Sequence, residues 1–177
     1  GVYCLPFYDA ESVLLTREIA SWMLGRLLQR NFPENEYLTL LVSCAQSRRN
    51  VTLKHIADYL RWREKPELRF HFVADELVVE AHPPSRLEAE FLSRAAEVAK
   101  AVEDKDAIAI LTLHHGKEMY KRFKMLAREK HSLSLPPDPI QKYLELRDTN
   151  GFHAVLSSIA SLTAFRGKIT TRLGLGA

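Results

Sequence analysis

Cysteine is scarce in this sequence: the 177 residues include only Cys4 and Cys44, with no Cys-x-x-Cys pair and no metal-ligand spacing. A disulfide-stabilised fold is therefore not expected, and a reducing intracellular compartment, cytoplasm or nucleoid or nucleus, is the simpler expectation. No run approaches the roughly 18 apolar residues that cross a bilayer, and no signal peptide is visible. We therefore expect no membrane association.

Catalytic and cofactor motifs are also missing. The Gly-Lys pairs at Gly116 and Gly167 lack the frame of a phosphate-binding loop, and there is no Gly-x-Ser-x-Gly nucleophile elbow. Cys44 lies in an apolar run, which is typical of an inert, buried thiol. We therefore expect no cofactor and no bound metal, and we assign no catalytic residue.

The charge balance is mildly basic. Lysine and arginine number 25 against 22 aspartates and glutamates, so the net charge is +3. With 46% hydrophobic and 27% charged residues, the composition is that of an ordinary soluble protein with one domain or two small ones. The glycine at the start and the glycine-rich end are what we expect of a piece cut from a longer chain.

Apolar periodicity predicts a mainly α (α+β) protein, a helical bundle with one or two small β-hairpins. Ser85–Glu103 has the clearest helical spacing, whereas the β-rich segments Leu68–Val73 and Leu77–Ala81 flank a short turn and predict a hairpin. Ala107–His115 fits a strand or a helix, and Glu36–Gln46 fits a helix better than a buried strand. The other predicted helices are Asp9–Asn31, Asn50–Trp62, Lys117–Lys130, Ile140–Asp148 and Phe152–Leu162.

Two modules are expected, because tandem prolines within His82–Ser85 follow the hairpin and precede a strong helix. Residues 1–83 would form a helical module with the hairpin, and residues 84–177 a winged-helix-like module. The expected parts of the second module are three helices, Lys117–Lys130, Ile140–Asp148 and Phe152–Leu162, and a basic, Gly-containing wing within Ala164–Ala177.

Clustered cations predict contacts with nucleic-acid phosphates. No Asp or Glu occurs from Asn150 to Ala177, and a wing lies beside the phosphate backbone when the preceding helix enters the major groove. Two further basic clusters lie on predicted helices and include aromatic residues that are candidates for base stacking, namely Tyr59, Trp62, Tyr120 and Phe123. The candidate nucleic-acid-binding residues are Arg48, Arg49, Lys54, Arg61, Lys121, Arg122, His153, Ser157, Arg166, Lys168 and Arg172.

The sequence thus predicts a non-catalytic nucleic-acid-binding module, for DNA before RNA, within a larger DNA-processing or regulatory protein or complex. The alternative is a protein-interaction subunit that holds other subunits through the winged-helix-like surface. A third hypothesis is a metal-dependent nuclease with Asp75, Glu80 and His82 as ligands, although no Glu-x-Lys element accompanies them.

Overall fold

The computed structural model describes residues 9–64, 68–73, 76–81, 86–135, 149–160 and 162–164. Within these ranges the chain forms seven α-helices with described bounds, a further helical stretch at residues 160 and 162–164, and a two-stranded antiparallel hairpin. The helices are α1 (Ala10–Leu14), α2 (Arg17–Leu28), α3 (Glu34–Glu64), α4 (Arg86–Glu103), α5 (Ala107–Leu113), α6 (Gly116–His131) and α7 (Thr149–Ser158). The strands are β1 (Leu68–Val73) and β2 (Glu76–Ala81).

The predicted helical class and the hairpin of the first half are confirmed. The hairpin register pairs Leu68 with Ala81 and Val73 with Glu76, so β2 begins one residue earlier than predicted. None of the described helices combines the length and the apolar character that a membrane span requires.

The single helix predicted over Asp9–Asn31 is divided into α1 and α2 at Leu15 and Thr16. The Thr16 hydroxyl donates to the Val13 carbonyl at 2.8 Å, while the Thr16 backbone is extended and its carbonyl accepts the first hydrogen bond of α2. A threonine side chain competes for backbone groups in this way. The continuous apolar pattern across this point concealed the break.

The two helices predicted over Glu36–Gln46 and Asn50–Trp62 are one helix, the 31-residue α3. Neither Gly nor Pro occurs between them, and the Ser47 hydroxyl donates to the Cys44 carbonyl at 3.0 Å. Nothing in that stretch ends a helix, so α3 runs unbroken for about 46 Å at 1.5 Å per residue.

The ambiguous segment Ala107–His115 begins as a helix because of its capping residue. The Asp106 carboxylate accepts hydrogen bonds from the backbone N–H groups of Ile108 and Ala109, both at 3.0 Å. These are N–H groups that the first turn of a helix leaves without internal partners. Asp106 therefore selects the helical alternative, α5.

The main hydrophobic core combines buried side chains from α1, α2, α3, α5 and α6, together with Ile159 just after α7. It includes side chains from both sides of the division predicted at residues 83 and 84. A second, smaller cluster joins α3 to α4 through Leu53, Ala57, Leu60, Leu87 and Phe91. The division itself falls at residues 82–85, outside the described ranges, and stays a prediction.

The winged-helix-like interpretation of residues 84–177 is wrong. All regular elements described after residue 84 are helices, and the described strands precede that point. The expected first helix, α6, packs against α3 and α1, while the expected recognition helix, α7, packs chiefly against α2. The apolar faces of both helices are therefore covered by the N-terminal half. The predicted helix Ile140–Asp148 and the predicted wing lie outside the described residues.

The tandem histidines at the start of α6 lie in a polar junction between helices. His114 is buried, and its Nδ1 lies 2.8 Å from the Thr52 hydroxyl of α3. Its other ring nitrogen, Nε2, is buried and has no hydrogen-bond partner in the described part of the chain. Burial lowers the pKa of His114 to about 4, so the fold holds the ring in its neutral form.

The carboxylate of Asp9 connects two helices at the same junction. One oxygen accepts hydrogen bonds from the Ser12 N–H and hydroxyl, both at 2.9 Å, and so caps α1. The other oxygen accepts the Gly116 N–H at 2.9 Å and lies 3.2 Å from His115 Nδ1. Asp9, which caps α1, therefore also caps the first turn of α6.

Gly116→Ala is expected to destabilise the protein by about 1–3 kcal/mol, the usual cost of overpacking. A Cβ added to Gly116 would lie 2.5 Å from the Ser12 hydroxyl oxygen and closer still to Asp9 Oδ1. Urea unfolding measures the change. The exposed neighbour Lys117 provides the control: Lys117→Ala should change stability by less than about 0.5 kcal/mol. Equal stability of the two variants would contradict the close approach of α1 to α6.

Native stability should fall in mild acid because of His114. Unfolded chains protonate histidine near pH 6.5, whereas the folded ring protonates only near pH 4. The free energy of unfolding that depends on a neutral His114 is thus fully present above pH 6.5. It is lost as the pH falls toward 4, by roughly 3 kcal/mol at most. His114→Asn, which keeps a polar atom near Thr52, should flatten the stability profile between these limits.

The pH range in which His114 affects stability lies mostly above that of Glu90. The pKa of Glu90 is held at about 2, chiefly by the hydrogen bond from Arg63. Glu90 protonates near pH 4.5 when unfolded, so its contribution is lost only below that value. An unchanged slope between pH 6.5 and 5 in His114→Asn would show that another group carries the acid sensitivity.

Candidate nucleic-acid interface

Four cations lie on two helices that pack against each other, and we call them the basic seam: Arg48 on α3, with Lys121, Arg122 and Lys130 on α6. Their proximity is visible at Cys44, a buried free thiol. Burial raises the pKa of Cys44 to about 12, while the charges of Arg122, Arg48 and Lys130 oppose that rise. Three of the four cations are therefore close enough to Cys44 for their charges to act on it.

The two arginines of the seam retain unused hydrogen-bond donors. The Nε atoms of Arg48 and Arg122 are buried and have no hydrogen-bond partner among the described residues. The carboxylate paired with Arg122, that of Glu129, lies 3.6 Å from Nη1, beyond hydrogen-bond distance. Guanidinium groups bind the oxygens of a phosphate, and because the Nε atoms here are covered, such binding would use the terminal Nη groups.

Carboxylates offset only part of this charge. Lys121 forms an ion pair with Glu118, and this hydrogen bond, assisted by the charges of Lys121, Arg48 and His115, holds the pKa of Glu118 below its usual value. Glu129 is the other carboxylate at the seam. Four cations thus face two carboxylates, and the seam keeps a positive balance.

Three of the predicted residues, Arg48, Lys121 and Arg122, belong to the seam on the packed helices α3 and α6. The charge of Arg48 acts with Lys121 on Glu118 and with Arg122 on Cys44. Lys54 and Arg61 are exposed and share one side of α3, since they are seven residues apart. That side is turned about a third of a revolution from Arg48, because α3 has 3.6 residues per turn. Arg49 is exposed on α3 too.

The remaining predicted residues lie away from the seam or outside the described residues. Ser157 is exposed on α7, whose main packing partner is α2 rather than α3 or α6. The backbone of His153 is part of α7, but its side chain lies outside the description. Arg166, Lys168 and Arg172, expected on the wing, also lie outside the described residues.

The roles of two cations, Arg63 and Lys130, depend on packing that the sequence did not indicate. Arg63, counted in the basic cluster of the Asn50–Trp62 helix, binds both carboxylate oxygens of Glu90 at 3.0 and 2.7 Å, across 27 positions of the sequence. Lys130 was one of many cations on its helix, and only the packing of α6 on α3 singles it out.

The four aromatic residues proposed for stacking divide into two pairs. Tyr120 and Phe123 are buried in the main core, so that part of the hypothesis is wrong. Tyr59 and Trp62 are exposed on α3. Helical periodicity alone did not separate the pairs, since both occur at the spacing of an apolar stripe.

No metal centre is formed within the described residues, where no group of three or more His, Cys, Asp or Glu side chains is placed to hold an ion. The proposed ligands Asp75 and His82 lie outside those residues, as does the side chain of Glu80.

Comparison with known proteins identifies no relative. No protein-family model, no curated protein and no solved structure matches this chain.

Cys44 should not react with thiol reagents in the native protein. Its side chain is buried, and burial disfavours the thiolate, which is the reactive form. In a Cys4→Ser variant, a chromogenic disulfide at pH 8 should modify Cys44 only as fast as the protein unfolds. The same reagent in urea gives the fully reactive control, and rapid native labelling would show that the α3–α6 seam opens without unfolding.

Proposed function

We propose that this chain is a non-catalytic module that binds the phosphate backbone of a nucleic acid, DNA before RNA, at the basic seam. The observation that supports the proposal is the pair Arg48 and Arg122, whose charges act on the same buried thiol, Cys44, from two helices that pack against each other. Their Nε atoms are covered, so a phosphate would accept from the terminal Nη groups.

Phosphate is the anion that best fits this arrangement. Guanidinium groups recognise phosphate oxygens with two parallel hydrogen bonds, and lysines such as Lys130 add charge without requiring a fixed geometry. Contacts of this kind carry no information on base sequence. We therefore expect binding with little sequence preference, inside the cell and as part of a larger DNA-processing or regulatory assembly.

The two alternatives from the sequence have less support. A protein-interaction subunit was expected to use a winged-helix-like surface, and that architecture is wrong. A metal-dependent nuclease depends on Asp75, Glu80 and His82, whose side chains lie outside the described residues, and stays a prediction.

Removing the two guanidinium groups should reduce both affinity and its dependence on salt. Each phosphate contact contributes about 0.9 to the slope of log affinity against log salt on duplex DNA and about 0.7 on single strands. Arg48→Gln combined with Arg122→Gln should therefore lower the slope by about 1.4 to 1.8. Fluorescence anisotropy with a labelled oligonucleotide at several salt concentrations provides the measurement.

The matched control removes two cations elsewhere. Arg17 pairs with Glu34 at 3.0 Å and Lys100 with Asp104 at 2.7 Å, so both are already neutralised by carboxylates. Arg17→Gln combined with Lys100→Gln makes the same change in net charge and should leave the salt slope nearly unchanged. Equal effects of the two double variants would show that binding depends on net charge and not on the basic seam. The absence of binding by the parent protein would refute the proposal.

A further inference from the structure

We infer that Tyr59 and Trp62 form a stacking platform for unpaired bases, so that the nucleic acid bound at the basic seam is single-stranded. This inference rests on the proposed function and adds the class of nucleic acid to it. Trp62 is 77% exposed and Tyr59 is 50% exposed. Large rings exposed to this extent on a helix have not been used to build the core.

The two rings lie side by side. Their centroids are 6.5 Å apart, and their planes are inclined by 35°. The guanidinium of Arg63 lies 5.9 Å from the centre of the Tyr59 ring and is itself held by Glu90 at 3.0 and 2.7 Å. Arg63 therefore supports Tyr59 from a fixed position, and the indole of Trp62 is the more accessible surface.

The platform is aligned with the basic seam. Arg48, His55, Tyr59 and Trp62 are separated by seven, four and three residues, spacings that place side chains along one side of a helix. At 1.5 Å per residue, the path from Arg48 to Trp62 measures about 21 Å. A strand whose phosphates bind at the seam would place bases several nucleotides further along near the two rings.

Charge favours a nucleic acid over a protein as the occupant of this surface. From Arg48 to Trp62, α3 has one carboxylate, Asp58, against Arg48, Arg49, Lys54 and Arg61. The other exposed large apolar side chains lie on different elements, for example Leu92 on α4 and Ile108 on α5. The surface of α3 between Arg48 and Trp62 is thus aromatic and basic, the combination found in grooves that bind single strands.

Single strands are favoured over duplexes because the Tyr59 and Trp62 rings are exposed on the surface of α3. Paired bases stack on each other within a duplex and offer their faces to a protein only at its ends, whereas unpaired bases stack readily on exposed aromatic rings. The exposed rings therefore contribute to binding of a single strand, while the cations of the seam contribute to binding of both forms.

The test compares a labelled oligothymidine with a blunt duplex of the same length, by fluorescence anisotropy at one salt concentration. Trp62→Leu, which keeps an apolar side chain but removes the ring, should weaken binding of the single strand about tenfold. Binding of the duplex should change by less than about twofold. Trp62→Phe, which keeps a ring, should retain most of the affinity, and Ile108→Ala should have no effect on either ligand.

Each other outcome overturns the inference in a recognisable way. If Trp62→Leu binds the single strand as tightly as the parent, or weakens both ligands equally, the platform is refuted while phosphate binding at the seam stands. If the parent binds neither ligand, both proposals fail. If Trp62→Leu instead dissociates a self-associated protein in light scattering and leaves oligonucleotide binding unchanged, the rings belong to a protein interface.

Discussion

The arrangement of α1 and α6 depends on the hydrogen bonds that the Asp9 carboxylate accepts from both helices. Its two oxygens accept from Ser12 at the start of α1 and from Gly116 at the start of α6, positions separated by more than 100 residues. His115, the residue before α6, forms no side-chain cap of its own. One acidic side chain thus satisfies N–H groups at two helix starts and holds those starts in contact.

This contact sets the requirements for its neighbours. Gly116 has no side chain because Asp9 and Ser12 occupy the space that a Cβ would need. With α6 fixed on α1, His114 is placed in the core next to Thr52, and α3 is joined to α6 through the same junction. The convergence of Arg48 and Arg122 follows from this packing. The polar junction therefore positions the candidate site without belonging to it.

Local signals predicted most of the helices and the hairpin, but not where neighbouring helices separate or merge. A helix start with a strong cap, such as α5 after Asp106, depends on a residue that is visible in the sequence. The break at Thr16 and the continuity through Ser47 depend on side-chain hydrogen bonds to the backbone, which the apolar pattern does not reveal. The winged-helix interpretation failed because it took the order of elements as evidence for their packing.

The basic character of the candidate site could be predicted from the sequence, but the particular residues that form it could not. Clusters of cations on two helices were evident, yet the side chains that converge were fixed by the packing of α3 on α6. Arg63 is held by Glu90, which is distant in sequence, whereas Lys130 was added to the set through its position near Cys44. Tyr120 and Trp62 looked equivalent, but one is 5% exposed and the other 77%.

The unbroken course of α3 makes the separation between its groups a fixed length. An α-helix does not stretch, so Arg48 and Trp62 stay about 21 Å apart whether or not anything is bound. A ligand that touches both must match this span in its own contour, and one that is too short must give up one of the two contacts. Under the proposed function, the fixed length of α3 would favour, among ligands of equal charge, those long enough to reach both groups.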